Sequence, residues 1–332
     1  VYKRQGQFNV DVPDDGGPLH MTGDQQTGLR ITPLSIAQVQ VDVDIDPDPD
    51  YEFSDTYLWA ELTGLVYTWE NIYGDTTNFE VALSVSETAD GGFIAAGWAN
   101  TNTTNGLDMM LLKTDAAGGE LWRKYLGGTD DDYAEAVRQT TDGGFVVAGY
   151  VETATAEQGI VYKVDANGDE VWNRPLSIDP RSKAYDIQPT SDGGYIVTGY
   201  RYAPAGPGYS MQDIYLVKLA SDGSIQWENV YGGLYTDIGS SVIEVSTGGF
   251  IVVGRTEIDG GTNQDIYVVR TDASGNLTWE KNYGGVFAQY GYDILENSDG
   301  TFALSGNGYD SSAPGYVYLF SIIDTDGTLL TE

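Results

Sequence analysis

The chain has 332 residues, and its hydrophobic fraction of 41% is enough to bury the core of one large domain. Fifty acidic against sixteen basic residues give a formal net charge of -34, which repels nucleic-acid phosphates and anionic lipid surfaces. The absence of cysteine excludes disulfides and thiolate chemistry, and no apolar run approaches the roughly 20 residues of a membrane helix. We therefore expect no nucleic-acid partner and no direct insertion into a membrane.

Tryptophan recurs about every 50 residues and divides the chain into copies of one pattern. The positions are Trp69, Trp122, Trp172, Trp227 and Trp279. Each copy contains an alternating strand A, a glycine-rich turn such as Asp-Gly-Gly, a strand B that ends on glycine, a strand C, a second tight turn and a strand D. Glycine supplies the positive φ of such turns. Four short antiparallel strands in each repeat predict the blades of an all-β propeller.

In chain order, the pattern predicts six blades in a single domain over 1–332, with five or seven as alternatives. Blade 1 (6–74) is degenerate, because 8–23 resembles strands A and B, 55–69 resembles strands C and D, and a long insertion at 24–54 separates strands B and C. Blades 2 to 6 are regular and span 75–125, 126–175, 176–230, 231–282 and 283–332.

The insertion contains the sequence QVQVDVDIDPDPD at 38–50. Strict alternation predicts a strand over 36–46 whose apolar face carries Val39, Val41, Val43 and Ile45. Such a strand could join an outer edge of the propeller or pair with another copy of the protein. Five carboxylates recur at alternate positions and could share Ca²⁺ if the chain bends: Asp42, Asp44, Asp46, Asp48 and Asp50. A solvated acidic spacer is the interpretation that the sequence favours, and we expect no other cofactor.

Propeller connectivity separates the connections between strands into two sets. The A–B and C–D turns share one side, the turn face, and they are short and uniform. The B–C and D–A connections share the other side, the loop face, and they vary in length and sequence. Because variable loops on a rigid scaffold usually carry binding sites, the loop face is predicted to hold the function.

Aromatic and acidic residues of the loop face are the candidate ligand-binding set. Flat rings can stack on sugars, and carboxylates can accept hydrogen bonds from hydroxyl groups. The aromatic candidates are Trp98, Tyr150, Tyr200, Tyr202, Tyr209 and Tyr235, and the acidic ones are Asp130, Asp131, Asp132, Asp237 and Asp259. For the first three rings, which occupy one repeat position, packing between blades is the interpretation that the sequence favours over ligand binding. The acid that begins strand C (Asp108, Asp213, Asp265) is predicted to cap nearby backbone N–H groups.

The repeated phrases W…YGG…DGG(F/Y)(I/V)(V/A)xG…D(I/M)(Y/M)L(V/L)K…DxxG…W resemble the SBBP-type β-propeller repeats of bacterial and archaeal secreted or surface-anchored proteins. The resemblance covers 75–332 strongly and 8–74 weakly. It implies an extracellular or cell-surface interaction scaffold, and it assigns no catalytic residue because the family has no single activity.

Three functions remain open at this point. The leading expectation is a non-catalytic propeller that binds a glycan or a surface protein, without enzyme activity. A structural subunit that assembles with further copies through the 36–46 strand is the first alternative. A polysaccharide hydrolase or lyase that uses loop-face carboxylates is the second. His20 is the single histidine, which disfavours a catalytic triad or a zinc site.

Overall fold

The protein, described by a computed structural model, is all-β and forms two compact units, Val1–Trp69 and Glu70–Glu332. The structure describes five strands within the first 60 residues. In the second unit it describes 71–74, 80–100, 106–154, 156–176, 181–202, 211–258, 263–285, 288–310 and 315–331.

The first unit is one antiparallel sheet of five strands in chain order. The strands are β1 (Asn9–Asp11), β2 (Leu19–Thr22), β3 (Gly28–Ser35), β4 (Gln38–Asp44) and β5 (Leu58–Ala60). The predicted strand of the insertion is present as β4, but β3 was not expected. Both insertion strands lie inside the sheet, so the expected outer-edge location is wrong.

Strand β4 pairs with β3 along its length and with β5 over Val39–Val41. A second copy would therefore have to compete with β5 for the same backbone groups. Assembly through this strand stays a prediction. Ile45, Asp46, Asp48 and Asp50 lie outside the described residues, so the Ca²⁺ hypothesis for this segment also stays a prediction.

The second unit contains five four-stranded antiparallel sheets, which are the five regular blades of a β-propeller. Blade 2 comprises β6 (Glu80–Glu87), β7 (Phe93–Ala99), β8 (Asp108–Thr114) and β9 (Glu120–Leu126). Blade 3 comprises β10 (Asp131–Gln139), β11 (Phe145–Glu152), β12 (Glu157–Val164) and β13 (Glu170–Pro175). Blade 4 comprises β14 (Ser182–Pro189), β15 (Tyr195–Tyr202), β16 (Gln212–Leu219) and β17 (Ile225–Tyr231).

Blade 5 comprises β18 (Asp237–Glu244), β19 (Phe250–Glu257), β20 (Gln264–Thr271) and β21 (Leu277–Tyr283). Blade 6 comprises β22 (Gln289–Glu296), β23 (Phe302–Asp310), β24 (Gly315–Ile323) and β25 (Leu329–Thr331). The first strands of successive blades contact one another, so strand A is the inner strand of each blade. The prediction of four-stranded antiparallel propeller blades is confirmed.

Every inner strand carries a β-bulge opposite the glycine that ends strand B. In blade 4 the bulge lies between Ala184 and Asp186, and a Cβ at Gly199 would overlap the carbonyl oxygen of Lys183. The bulge brings the two backbones into close approach, so only glycine fits there.

Within the described residues, the ladder tryptophans pack each regular blade against the next one. Trp172 lies against Gly223 in the C–D turn of blade 4, where a Cβ would stand 2.8 Å from the indole. Gly223 has φ of +78°, a conformation that favours glycine. Apolar clusters that span neighbouring blades include Trp122, Trp172, Trp227 and Trp279.

Candidate functional site

The three loop-face rings at one repeat position pack between blades. Tyr150 is 9% exposed and Tyr200 is 3% exposed. Tyr150 stacks on Tyr133 with ring centroids 4.8 Å apart, and Trp98 meets the other side of Tyr133 edge-on. The Tyr200 hydroxyl donates to Glu157 at 3.1 Å. These contacts are those that the packing interpretation expects, and a ligand-binding role of the three rings stays a prediction.

The other aromatic candidates do not form a common site. Tyr202 is half-buried beneath the guanidinium of Arg181, 5.4 Å from its ring centroid. Tyr235 is half-buried and does not line the pocket described below. Tyr209 and Asp259 lie outside the described residues.

The acids at the start of strand A cap the D–A loop. Asp132 is 2% exposed, and its Oδ2 accepts from the backbone N–H of Gly128 at 3.0 Å. Asp131 Oδ1 accepts from the N–H of Leu107 at 2.7 Å, and Asp130 is exposed. Capping was predicted for the acid of strand C instead, but the buried Oδ1 of Asp265 has no hydrogen-bond partner. The Oδ1 of Asp265 therefore caps no backbone N–H group, and the capping prediction for strand C otherwise stays a prediction.

Asp237 occupies the position of Asp132 two blades later, and it lines a cavity. It is 2% exposed, and its Oδ2 accepts from the N–H of Gly233 at 2.7 Å. The cavity has a volume of about 350 Å³ and opens on the loop face. Its walls are Gly232, Gly233, Asp237, Thr256, Tyr267, Glu280, Lys281 and Asn282. We call it the blade 5 pocket.

A second carboxylate lies beside Asp237. A Cβ at Gly232 would touch Asp237 Oδ2 and would stand 2.8 Å from Asp213 Oδ1. Both oxygens lie within van der Waals distance of this one point, so the two carboxyl groups are close neighbours. Burial, together with the negative charges of Asp213 and Glu280, raises the pKa of Asp237 to about 6. Asp237 thus keeps a proton under mildly acidic conditions.

The third acid of the site, Glu280, is exposed and held in place by a tyrosine. The Tyr267 hydroxyl donates to Glu280 Oε2 at 2.6 Å. Burial and this hydrogen bond raise the pKa of Tyr267, so the hydroxyl stays protonated and continues to donate. The pocket thus combines a protonated acid with an oriented, solvent-accessible carboxylate.

No prediction from the sequence included Tyr267, Thr256 or Glu280. Glu280 directly follows the ladder residue Trp279, as Glu228 follows Trp227, so both look like ordinary repeat residues. The sequence signal for this site was a difference between two B strands. Thr256 in blade 5 occupies the position of Arg201 in blade 4. A short side chain at this position leaves room for a pocket.

Within the described residues, no three acidic or histidine side chains converge to form a metal site. The same residues include no helix long and apolar enough to cross a membrane.

Comparison with known proteins concerns the fold. Neither a protein-family model nor a curated protein matches the chain. An endo-arabinase from Bacteroides thetaiotaomicron VPI-5482 is 11% identical, covering 72% of this chain and 92% of its own, with a TM-score of 0.40. A thermostable family-43 glycoside hydrolase is 12% identical, covering 75% and 92%, with a TM-score of 0.43. An endo-1,4-β-xylanase from the same Bacteroides strain is 14% identical, covering 74% and 92%, with a TM-score of 0.38.

These similar structures are enzymes that act on glycans, whereas the sequence led us to expect a non-catalytic scaffold. That expectation, and with it the expectation of no enzyme activity, is contradicted by the comparison and is corrected. At these identities the likeness itself is one of fold alone, so any argument for activity has to come from the blade 5 pocket.

Proposed function

We propose that the protein is an extracellular polysaccharide hydrolase whose reacting groups lie in the blade 5 pocket. The observation that carries the proposal is the pairing of a protonated acid with an oriented carboxylate in one open cavity. Asp237 has a pKa raised to about 6, and Glu280 shares its cavity. Glycoside hydrolysis needs two carboxyl groups whose environments separate their protonation states.

Each acid has a distinct role in this proposal. Asp237 donates its proton to the glycosidic oxygen as the bond breaks, and Asp213, close by across Gly232, helps to keep that proton in place. Glu280, oriented by Tyr267, is the carboxylate that activates water or attacks the anomeric carbon. The anomeric configuration of the first product, read by NMR, distinguishes these two routes.

Location and family are part of the proposal. Secretion or surface display agrees with a polymeric substrate that stays outside the cell, and the repeat phrases support membership of the SBBP-type propellers. The partner proposed here is the polysaccharide substrate.

The test uses a matched pair of variants at one repeat position. Asp237→Asn removes the acid of the pocket, whereas Asp132→Asn removes an acid of the same burial and a pKa also raised to about 6. Release of reducing ends is measured on a panel of neutral, acidic and amino polysaccharides. We expect Asp237→Asn to lose about 10²- to 10⁴-fold in rate, the usual contribution of a general acid, and Asp132→Asn to retain activity. No release from any polymer, or equal losses in both variants, would overturn the proposal.

A further inference from the structure

One row of residues crosses strands A, B and C of every blade next to the loop face. In blade 2 the row is Glu80, Ala99 and Asp108. In blade 4 it is Ser182, Arg201 and Asp213. In blade 5 it is Asp237, Thr256 and Asp265. Strand D contributes the residue after the ladder tryptophan, which is Arg123, Glu228 or Glu280 in the same three blades. It pairs with strand C four residues beyond the row, on the side of the C–D turn.

In blade 2 and in blade 4, an arginine of the chain forms an ion pair with a glutamate near this row. Arg123 Nη1 lies 3.0 Å from Glu80 Oε1, and both side chains are mostly buried. Arg201 Nη1 lies 4.0 Å from Glu228 Oε1, with the guanidinium 5.5 Å from the centroid of the Tyr215 ring. A guanidinium thus lies beside a glutamate in both blades, from strand D in blade 2 and from strand B in blade 4.

Blade 5 repeats the acids and the tyrosine without the arginine. Thr256 stands where blade 4 has Arg201, and Glu280 stands where blade 2 has Arg123. Tyr267 holds Glu280 at 2.6 Å, and Tyr215 donates likewise to Glu228. The Arg201 guanidinium fills a space in blade 4. In blade 5 the equivalent space is part of the open pocket.

The charges around this space favour a cationic ligand. Asp237 and Glu280 both line the pocket, and Asp265 beside Thr256 has a buried Oδ1 without a hydrogen-bond partner. Lys281 also lines the pocket, but its Nζ lies 3.7 Å from Asp326 Oδ1 and 5.9 Å from the Trp279 ring centroid. A net charge of -34 would also steer a polycation toward the protein.

We propose that the blade 5 pocket binds the ammonium group of an amino sugar, in the place that Arg201 fills in blade 4. This inference rests on the proposed function, and it specifies the substrate as a polysaccharide with free amino groups. The ammonium group donates to Glu280 and lies near the face of Tyr267, as the guanidinium of Arg201 lies near that of Tyr215.

The test measures binding separately from turnover. The full chain is titrated by calorimetry at pH 6 with a glucosamine oligosaccharide and with its fully N-acetylated counterpart, which has the same length but no charge. We expect at least about tenfold tighter binding of the charged oligosaccharide, the difference that one charge-assisted hydrogen bond can supply. Equal affinity for the two oligosaccharides would overturn the inference.

Two variants locate the binding site. Thr256→Arg restores the residue of blade 4 and should fill the pocket, and Glu280→Gln removes one charge that holds the ligand. Each should weaken binding of the glucosamine oligosaccharide at least about tenfold, whereas Glu228→Gln at the same repeat position in blade 4 should leave it unchanged. Undiminished binding by Thr256→Arg would place the cation elsewhere and overturn the inference.

The remaining outcomes separate the two proposals. Hydrolysis of a polymer without amino groups, together with equal binding of the two oligosaccharides, would refute the amino-sugar inference alone. Selective binding of the glucosamine oligosaccharide without hydrolysis of any polymer would refute the proposed function alone. Tighter binding of a short arginine peptide than of the glucosamine oligosaccharide would overturn the inference in favour of a protein partner.

Discussion

The turn face and the loop face of the second unit use the same repeat in opposite ways. On the turn face, blade after blade makes the same contact between a strand C lysine and the aspartate of the Asp-Gly-Gly turn. The pairs are Lys113 with Asp90, Lys163 with Asp142 and Lys218 with Asp192. On the loop face, equivalent positions hold an arginine in one blade and a threonine beside an open pocket in another.

The difference teaches where to look for function in a repeat protein. A contact that recurs in several blades stabilises the fold, because every blade needs it. Blade 5 itself supports this rule, since its turn lacks the aspartate and Arg270 replaces the lysine. The guanidinium of Arg270 donates to the carbonyl oxygens of Phe250 and Gly248 instead. A position that departs from the repeat and leaves acidic side chains without the cation found in another blade indicates a ligand site. Thr256, at the position of Arg201, is such a position.

The largest effect on stability is expected at the glycine that ends strand B. Gly199→Ala would push a Cβ into the carbonyl oxygen of Lys183, and we expect it to cost about 3 kcal/mol or more of unfolding free energy. Gly193→Ala in the turn has open space around it but a φ of +81°, so about 1 kcal/mol is expected. Chemical denaturation measures both. Equal costs would show that the bulge does not demand glycine.

A smaller effect is expected from the repeated ion pair of the turn face. Asp192→Ala leaves Lys218, whose side chain is 5% exposed, without its carboxylate, and we expect a loss of about 2 kcal/mol. Thr247→Ala changes the same repeat position in blade 5, where Arg270 bonds backbone carbonyls, and it should change stability by less than about 0.5 kcal/mol. A comparable loss in both variants would contradict the structural role of the pair.

The stabilising contributions of an acid on the turn face and an acid on the loop face should change with pH in opposite directions. Hydrogen bonds and Lys218 lower the pKa of Asp192 to about 2, so its stabilising contribution is present above the unfolded pKa of about 3.9 and is lost as pH falls through 2. Burial raises the pKa of Asp132 to about 6, so its contribution is present below about 3.9 and is lost as pH rises through 6.

The variant Asp132→Asn tests the pH dependence predicted for Asp132. Its effect on stability is the smallest of those predicted. The variant should flatten the fall in unfolding free energy between pH 4 and 6 by an amount on the order of 1 kcal/mol. Its stability relative to the parent should change little below pH 4. Denaturation at several pH values measures this, and an unchanged slope between pH 4 and 6 would show that Asp132 is not the group that titrates.

Much of the fold could be predicted from the repeat, because turns and strands are local. The Asp-Gly-Gly hairpins, the strand order and the packing of the tryptophans all follow from patterns within about 50 residues. The bulge opposite Gly199 could not, since it depends on how two backbones approach each other in space. In the insertion, alternation identified β4 but gave no sign that β3 would pair with it, because pairing partners are not encoded by periodicity.

The site was harder to predict for a physical reason. Aromatic side chains such as Tyr150 and Tyr200 look alike in sequence whether they bind a ligand or fill the space between blades. Asp237 was found because acids of the loop face were candidates, but Glu280 lies on the outer strand and reaches the same cavity only in three dimensions. Comparing Thr256 with Arg201 would have indicated the position, since the loss of a cation among acids is visible in the aligned repeats.

The central claim is that the blade 5 pocket is functional and its counterpart in blade 4 is structural. The most direct measurement is the rate of reducing-end release by Glu280→Gln and by Glu228→Gln on the best polysaccharide substrate. Both side chains follow a ladder tryptophan and accept a hydrogen bond from a strand C tyrosine. Our account predicts a loss of about 10²-fold or more for Glu280→Gln and an unchanged rate for Glu228→Gln. Equal rates in the two variants would contradict it.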